Sequence, residues 1–126
     1  MTTHPTRYVA VVDDEAPVRT ALSRLLRLEN YEVVDFPSGE AFLASLDQRL
    51  PDCVILDVHV PGLSGFDVQG RLRATHADVP VVFITASDDL AARDRGSAPV
   101  LRKPFSKDEL FAAVGAALRD QPRDAS

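Results

Sequence analysis

The residues that could do chemistry are three aspartates, a threonine and a lysine, and each follows an apolar run. Asp57 ends the run that starts at Cys53, and a Pro-Gly turn comes within five positions. Such a run is typical of a strand that is buried on both faces, as in a parallel sheet. Open α/β sheets place their binding and catalytic groups at the carboxyl ends of their strands. The sequence therefore predicts a site at one edge of a parallel sheet, with Asp57 in it.

The other four residues follow three further apolar runs. Asp13 and Asp14 follow the first run of the chain, Thr85 follows the fourth and Lys103 the last. In a sheet of order 2-1-3-4-5, strands one and three are neighbours, so the three aspartates would crowd together. Their carboxylates would repel one another unless a cation joined them, and oxygen ligands favour Mg²⁺ or Mn²⁺ over zinc. With a lysine and a hydroxyl beside them, these acids predict a phosphoryl-transfer site in which one carboxylate is the nucleophile.

Alternating strand and helix patterns position these residues. A strand followed by a helix is repeated five times with short connections, which predicts a parallel sheet covered by helices on both faces. The predicted fold is α/β: a flavodoxin-like, doubly wound, five-stranded parallel sheet of order 2-1-3-4-5. Ser64 and Ser106 each stand three residues before an acid and predict helix starts. The last strand, predicted at 98–101, contains Pro99 and should therefore be an edge strand. The helical spacing of the first helix predicts one buried stripe: Val18, Ala21, Leu22, Leu25 and Leu26.

Composition excludes several classes of protein. The 126 residues are 45% hydrophobic and 26% charged, as expected for one globular domain. A net charge of -5 argues against nucleic-acid binding, which usually needs a basic patch. The lone Cys53 lies in a predicted buried strand and is interpreted as a core residue. No apolar run approaches the roughly 20 residues that span a bilayer, and no signal peptide is evident, so a cytoplasmic protein without membrane contact is expected.

The chain resembles the receiver domain of two-component response regulators, a family of bacterial signalling proteins, and is closest to the FixJ type. Four motifs carry the resemblance: Val-Val-Asp13-Asp14-Glu-Ala-Pro-Val-Arg19, Leu-Asp57-Val-His-Val-Pro61-Gly-Leu-Ser-Gly65, Phe-Ile-Thr85-Ala86 and Leu-Arg-Lys103-Pro104-Phe105. It extends over about 7–118. Residues 1–126 are therefore expected to form one receiver domain with a polar tail at 119–126. Whether this domain stands alone or belongs to a longer regulator stays open.

The resemblance implies a role for each acid of the site. Asp57 would accept a phosphoryl group from a phosphohistidine on a histidine kinase or a phosphotransfer protein. Asp14 and Asp57 would bind Mg²⁺ directly, and Asp13 would do so largely through water. The backbone carbonyl of His59 would supply a further oxygen ligand.

The resemblance also implies a switch. Thr85, followed by Ala86, would hydrogen-bond the phosphoryl group and move toward it, while Lys103 would pair with the phosphoryl charge. The Lys103–Pro104 peptide bond is expected to be cis. The phosphorylated domain would then change its binding to a downstream protein target, with the oligomeric state left open.

Two features depart from the family pattern. Val100 stands where an aromatic residue usually moves together with the threonine, and a valine has one stiff χ1 angle and no ring. Lys103 follows Thr85 by eighteen positions, shorter than usual by about one helical turn, roughly four residues. The fourth helix of the family is therefore expected to be shortened or irregular and poorly ordered, and signalling is expected not to use the usual dimer.

Other interpretations stay open beside this one. A pseudo-receiver would dock a partner without being phosphorylated, in keeping with Val100. An aspartyl-phosphate phosphatase resembling haloacid dehalogenases would need an acid two positions after Asp57, where His59 stands. A zinc site at His59 lacks a second His or Cys at ligand spacing. The acids at 13–15 could also merely favour the start of the following helix.

Overall fold

The structure is a computed structural model, and it describes residues 6–59, 62–86 and 98–119. Strands and helices alternate along these ranges, as the sequence predicts, except between the last two strands, whose connection falls mostly outside the described residues. In chain order the elements are β1 (Tyr8–Val12), α1 (Ala16–Leu28), β2 (Glu32–Phe36), α2 (Gly39–Ser45), β3 (Cys53–Asp57), α3 (Gly65–Thr75), β4 (Val81–Thr85), β5 (Val100–Arg102) and α4 (Lys107–Arg119).

The five strands form one parallel sheet of order β2-β1-β3-β4-β5, which confirms the predicted topology. The register pairs Val12 with Leu56, so the next residues lie side by side: Asp13 directly after β1 and Asp57 at the end of β3. β5 pairs with β4 alone among the described strands and lies at the edge, as predicted. It begins at Val100, two residues later than expected, because Pro99 has no N–H and only accepts a bond from the Phe83 N–H.

Two apolar clusters sandwich the sheet, because successive strand residues point to opposite faces. On β1, Ala10 and Val12 face the cluster that includes Phe42 of α2 and Leu72 of α3. Val9 and Val11 face the other cluster, which contains buried leucines of α1 and α4. Residues 53–57 and 81–85 are buried throughout, as strands covered on both faces must be.

Local signals set the helix boundaries. Ser64 accepts a hydrogen bond from the Asp67 N–H, while the Asp67 carboxylate accepts one from the Ser64 N–H, so the predicted capping box is present. Ser106 and Glu109 make the same pair of bonds before α4. Asn30, which follows α1, has a φ of 68°, a left-handed conformation that asparagine tolerates.

The buried face of α1 differs from the predicted stripe at one position. Leu22 and Leu26 are buried and Val18 and Leu25 are half-buried, but Ala21 is exposed. Ser23 is buried instead, and its hydroxyl has no hydrogen-bond partner among the residues that the structure describes. The contact between the helix and the sheet is therefore rotated toward a polar residue that apolar spacing does not identify.

Replacing Ser23 with alanine is expected to raise the free energy of unfolding by about 0.5–1 kcal/mol. The change removes a buried hydroxyl without a partner and introduces the residue with the highest helix propensity. Urea unfolding followed by circular dichroism measures the difference. Ser64→Ala is the matched control, and it should destabilise the protein, since that hydroxyl caps α3. A loss of stability in Ser23→Ala would contradict the prediction.

Some further predictions from the sequence are confirmed, and one concerns residues that the structure does not describe. The Lys103–Pro104 bond is cis, as expected. Cys53 is fully buried, and burial raises the pKa of its thiol to about 12, in keeping with a core role. The expected shortened or irregular fourth helix falls within 87–97, outside the described residues. None of the helices described is long and apolar enough to cross a membrane.

Candidate functional site

The carboxyl edge of the sheet brings the three predicted aspartates together. Asp13, Asp14 and Asp57 each offer a carboxylate oxygen, and these oxygens lie within 4.8 Å of one another. Asp13 and Asp57 are buried and Asp14 is exposed, so the cluster opens to solvent on the side of Asp14. The neighbouring positions of β1 and β3 cause this arrangement, as the predicted strand order required.

Lys103 lies beside the buried acids. Its Nζ is 3.4 Å from Asp13 Oδ2 and 3.6 Å from Asp57 Oδ2. The backbone places it there, because the Lys103 N–H donates to the Thr85 carbonyl at 2.7 Å and so extends the pairing of β5 with β4. Burial alone would lower the pKa of Lys103, but the surrounding carboxylates outweigh burial and raise the pKa. The lysine is therefore a firmly protonated cation within the site.

The environment of Asp57 disfavours its ionised form when no cation is bound. Burial raises the pKa of the Asp57 carboxyl. The His59 N–H opposes this shift by donating to Asp57 Oδ1 at 3.0 Å. The negative charge of Asp13 raises the pKa further and Lys103 lowers it, and the net pKa is raised. Two buried carboxylates thus share the charge of one ammonium group, and a further cation would relieve their repulsion.

The remaining predicted residues surround this centre. Thr85 is fully buried at the end of β4, and Ala86 follows it in an exposed position. The His59 side chain is exposed, and the ligand role of its carbonyl oxygen stays a prediction. Val100 pairs with Phe83 across β4 and β5 and packs, half-buried, against the cluster of Phe42 and Leu72.

Sequence reasoning missed two residues that contact the site. Glu15 Oε1 lies 3.7 Å from Lys103 Nζ, so a third carboxylate faces the lysine. Arg19 Nη1 donates to the Asp13 carbonyl at 2.9 Å, and its Nε donates to Asp35 Oδ2 at 3.0 Å. Both residues stand in the first motif, but spacing along the chain does not reveal which distant groups they meet.

A separate cleft of about 230 Å³ lies at the opposite edge of the sheet. Pro80 and Pro99, which precede β4 and β5, line it together with Leu72. Its described lining is mainly apolar, with Gln69 and Arg73 as the polar side chains.

Comparison with known proteins agrees with this geometry. The profile of the response regulator receiver domain matches residues 9–115. Nodulation protein W from Bradyrhizobium diazoefficiens is 39% identical over 91% of this chain and 53% of its own length. The response regulator protein TodT from Pseudomonas putida is 34% identical over 94% of this chain and 54% of its own length. The chain thus spans about half the length of the curated relatives it matches.

Solved structures show the same fold. The response regulator protein TrrA from Thermotoga maritima, crystallised in complex with Mg(2+)-BeF, is 32% identical, with a TM-score of 0.84 over 90% of this chain and all of that chain. Full-length FixJ from B. japonicum is 32% identical, with a TM-score of 0.86 over 96% of this chain and 62% of that one. Since the family profile covers most of the sequence, the chain belongs to the response regulator receiver domains of two-component signalling.

Proposed function

We propose that this domain is phosphorylated on Asp57 by a phosphohistidine of a histidine kinase or phosphotransfer protein, in a reaction that depends on Mg²⁺. The phosphorylated state then changes the affinity for a downstream protein target. The observation that carries the proposal is the position of Asp57. Its buried carboxylate has two more carboxylates within 4.8 Å and an ammonium group at 3.6 Å.

The donor set fits a hard divalent cation. All three side-chain groups are carboxylates, and burial, with a further contribution from the charge of Asp13, raises the pKa of Asp57, so a bound cation would favour its ionised form. Asp13, Asp14 and Asp57 would hold Mg²⁺ or Mn²⁺, together with the backbone carbonyl of His59. A bound ion would neutralise the acids and withdraw charge from the phosphoryl oxygens.

The transfer itself needs one nucleophile and no external base. An ionised oxygen of Asp57 attacks the phosphorus of the phosphohistidine, a P–O bond forms, and the P–N bond breaks with its electron pair returning to the imidazole. Lys103 is already within reach of Asp57 Oδ2, so its ammonium would pair with the incoming phosphoryl oxygens. The Thr85 hydroxyl, at the end of the neighbouring strand, would donate a further hydrogen bond.

In this proposal, the change in affinity for the target does not depend on the joint movement of a threonine and an aromatic side chain that is usual in the family. Val100 is half-buried against the cluster around Phe83 and has no ring to move inward. A shift of Thr85 toward the phosphoryl group would therefore reach the β4–β5 edge through the packing of Val100 against its neighbours, without the inward movement of a ring. Two expectations stay predictions: that signalling does not use the usual dimer, and that the 88–95 segment is poorly ordered.

Intact mass spectrometry after treatment with acetyl phosphate and Mg²⁺ tests the function. The wild-type domain should gain the mass of one phosphoryl group, and it should not gain it when EDTA removes the metal. Asp57→Asn should gain nothing. Asp47→Asn changes an exposed acid in the same way and should behave like the wild type.

Other outcomes of that experiment would identify the alternatives. A wild-type domain that stays unmodified, including with a phosphorylated histidine kinase as donor, would indicate a pseudo-receiver that only docks a partner. Multiple turnover of a small phosphomonoester would indicate a phosphatase. We expect no such turnover, because the position two residues after Asp57 carries His59 rather than an acid.

Asp57→Asn should also change the stability in a direction that depends on Mg²⁺. Without divalent ions at neutral pH, we expect a gain of about 1–2 kcal/mol in the free energy of unfolding, because the change removes a buried charge that Asp13 repels. The pKa of Asp57 is higher in the folded state than in the unfolded state. This gain should therefore be absent at a pH below the pKa of the unfolded state, and it should grow until the pH has risen through the pKa of the folded state.

In saturating Mg²⁺ the wild type should instead be more stable than Asp57→Asn. The wild type would gain binding free energy, about 2.7 kcal/mol at 100 times Kd, while the variant lacks one ligand. Urea unfolding at several pH values, with MgCl₂ or with EDTA, measures both effects. Asp47→Asn should shift little under either condition. An Asp57→Asn variant that is less stable than the wild type without metal would contradict the charge-repulsion account.

A further inference from the structure

We propose that Arg19 is a positioning residue for the metal site: it holds the Asp13–Asp14 peptide so that the Asp14 carboxylate faces the two buried acids. This inference rests on the proposed function, since it concerns the same Mg²⁺ site. Arg19 lies in the first turn of α1 and contributes no ligand atom of its own.

The contacts of Arg19 link three elements. Its Nη1 donates to the Asp13 carbonyl at 2.9 Å, and its Nε donates to Asp35 Oδ2 at 3.0 Å. Its own N–H donates to the Glu15 carbonyl at 2.9 Å, which anchors it in the first hydrogen-bonded turn of the helix. The guanidinium group of this side chain, which is only 18% exposed as a whole, therefore joins the loop between β1 and α1 to the end of β2.

Residues 13–15 belong to neither the strand nor the helix, so this loop is held by individual hydrogen bonds, among them one from the Glu15 N–H to Asp13 Oδ1 at 2.9 Å. The Asp13 N–H donates to the Phe36 carbonyl at 3.2 Å, so β2 holds the peptide unit that precedes Asp13. Arg19 holds the next peptide unit, because the Asp13 carbonyl that it bonds belongs to the peptide bond to Asp14. The plane of that peptide bond sets the position of the Asp14 Cα and so constrains where its exposed carboxylate can lie.

Two effects of Arg19 on a bound cation oppose each other. Its positive charge repels Mg²⁺, so removal of the charge alone would tighten binding. Its hydrogen bonds preorganise the ligands, and loss of a comparable outer contact weakens metal binding by roughly 10- to 100-fold. Asp35, paired with the guanidinium at 3.0 Å, offsets most of the charge. We therefore expect the positioning effect to dominate.

Isothermal titration with MgCl₂ on the unphosphorylated domain separates the two effects. Arg19→Met should raise the Kd for Mg²⁺ at least 10-fold, and Arg19→Lys, which keeps the charge but not the two-pronged contact, should give a smaller increase. Phosphorylation by acetyl phosphate should need correspondingly more Mg²⁺ and approach the wild-type rate at saturation. Arg49→Met is the matched control: it breaks an arginine–carboxylate pair with Glu32 at the other end of β2 and should leave Kd unchanged.

Circular dichroism checks that each variant is folded at the titration temperature. An unchanged Kd in a folded Arg19→Met variant, or a tighter one, would overturn the proposal, and so would an equal rise in Kd in Arg49→Met. A purely structural role would lower the stability of Arg19→Met without changing Kd in the folded protein. If the wild type itself neither bound Mg²⁺ nor accepted a phosphoryl group, the proposed function would fail. If the wild type did both and Arg19→Met bound Mg²⁺ with the same Kd, only the positioning role would be refuted.

Discussion

Replacing Lys103 with methionine is expected to slow phosphorylation of Asp57 by acetyl phosphate by roughly 100- to 1000-fold at saturating Mg²⁺. The Lys103 ammonium lies 3.6 Å from Asp57 Oδ2 and has a raised pKa, so it is a fixed positive charge where phosphoryl oxygens would gather. Methionine keeps the length of the side chain and removes the charge. The time course of intact mass, followed at saturating acetyl phosphate, measures the loss.

Lys107→Met is the matched control for this prediction. Lys107 is exposed at the start of α4, so its replacement changes the net charge of the domain equally without touching the site. It should leave the rate within about twofold of the wild type, as expected for a screened surface charge. A Lys103→Met variant that is phosphorylated nearly as fast as Lys107→Met would show that the ammonium does not stabilise the transferred group.

Two alanine substitutions in α3 should have opposite effects on stability. Gly65 is buried against the end of β3, and a Cβ there would lie 2.8 Å from the Asp57 carbonyl oxygen and 3.0 Å from Val58 Cα. Those atoms belong to the backbone and cannot rotate away, so Gly65→Ala should cost about 2–3 kcal/mol of unfolding free energy. A Cβ at Gly70 meets no described atom within 4 Å, and Gly70→Ala should add about 0.5–1 kcal/mol.

Urea unfolding of the two variants checks this pair. Because both changes are Gly→Ala within one helix, helix propensity favours both, and only the close approach to β3 separates them. Equal stabilisation of the two variants would mean that Gly65 does not hold α3 against the strand that carries Asp57. Gly65→Ala should also slow phosphorylation if it still folds, since the collision lies at the Asp57 peptide itself.

Much of the site could be predicted because each of its residues ends an apolar run. A strand that is buried on both faces is a local pattern, and the end of each run marks the edge at which Asp57, Thr85 and Lys103 are found. Capping serines are similarly local, so the starts of α3 and α4 were predicted correctly. The alternation of strands and helices predicted a parallel sheet with helices on both faces, and the order 2-1-3-4-5 came from the flavodoxin-like pattern of doubly wound sheets.

The sequence by itself therefore determined the fold class and the set of acidic, hydroxyl and ammonium groups at the site, since those depend on local patterns and on residue type. Only the tertiary structure decided which side of α1 is buried, with Ser23 inside and Ala21 exposed, because that depends on the rotation of the helix against the sheet. It also decided that Arg19 reaches Asp35 and that Glu15 faces Lys103. Such contacts join residues whose approach is set by the packing of whole elements, and spacing along the chain carries no information about that distance.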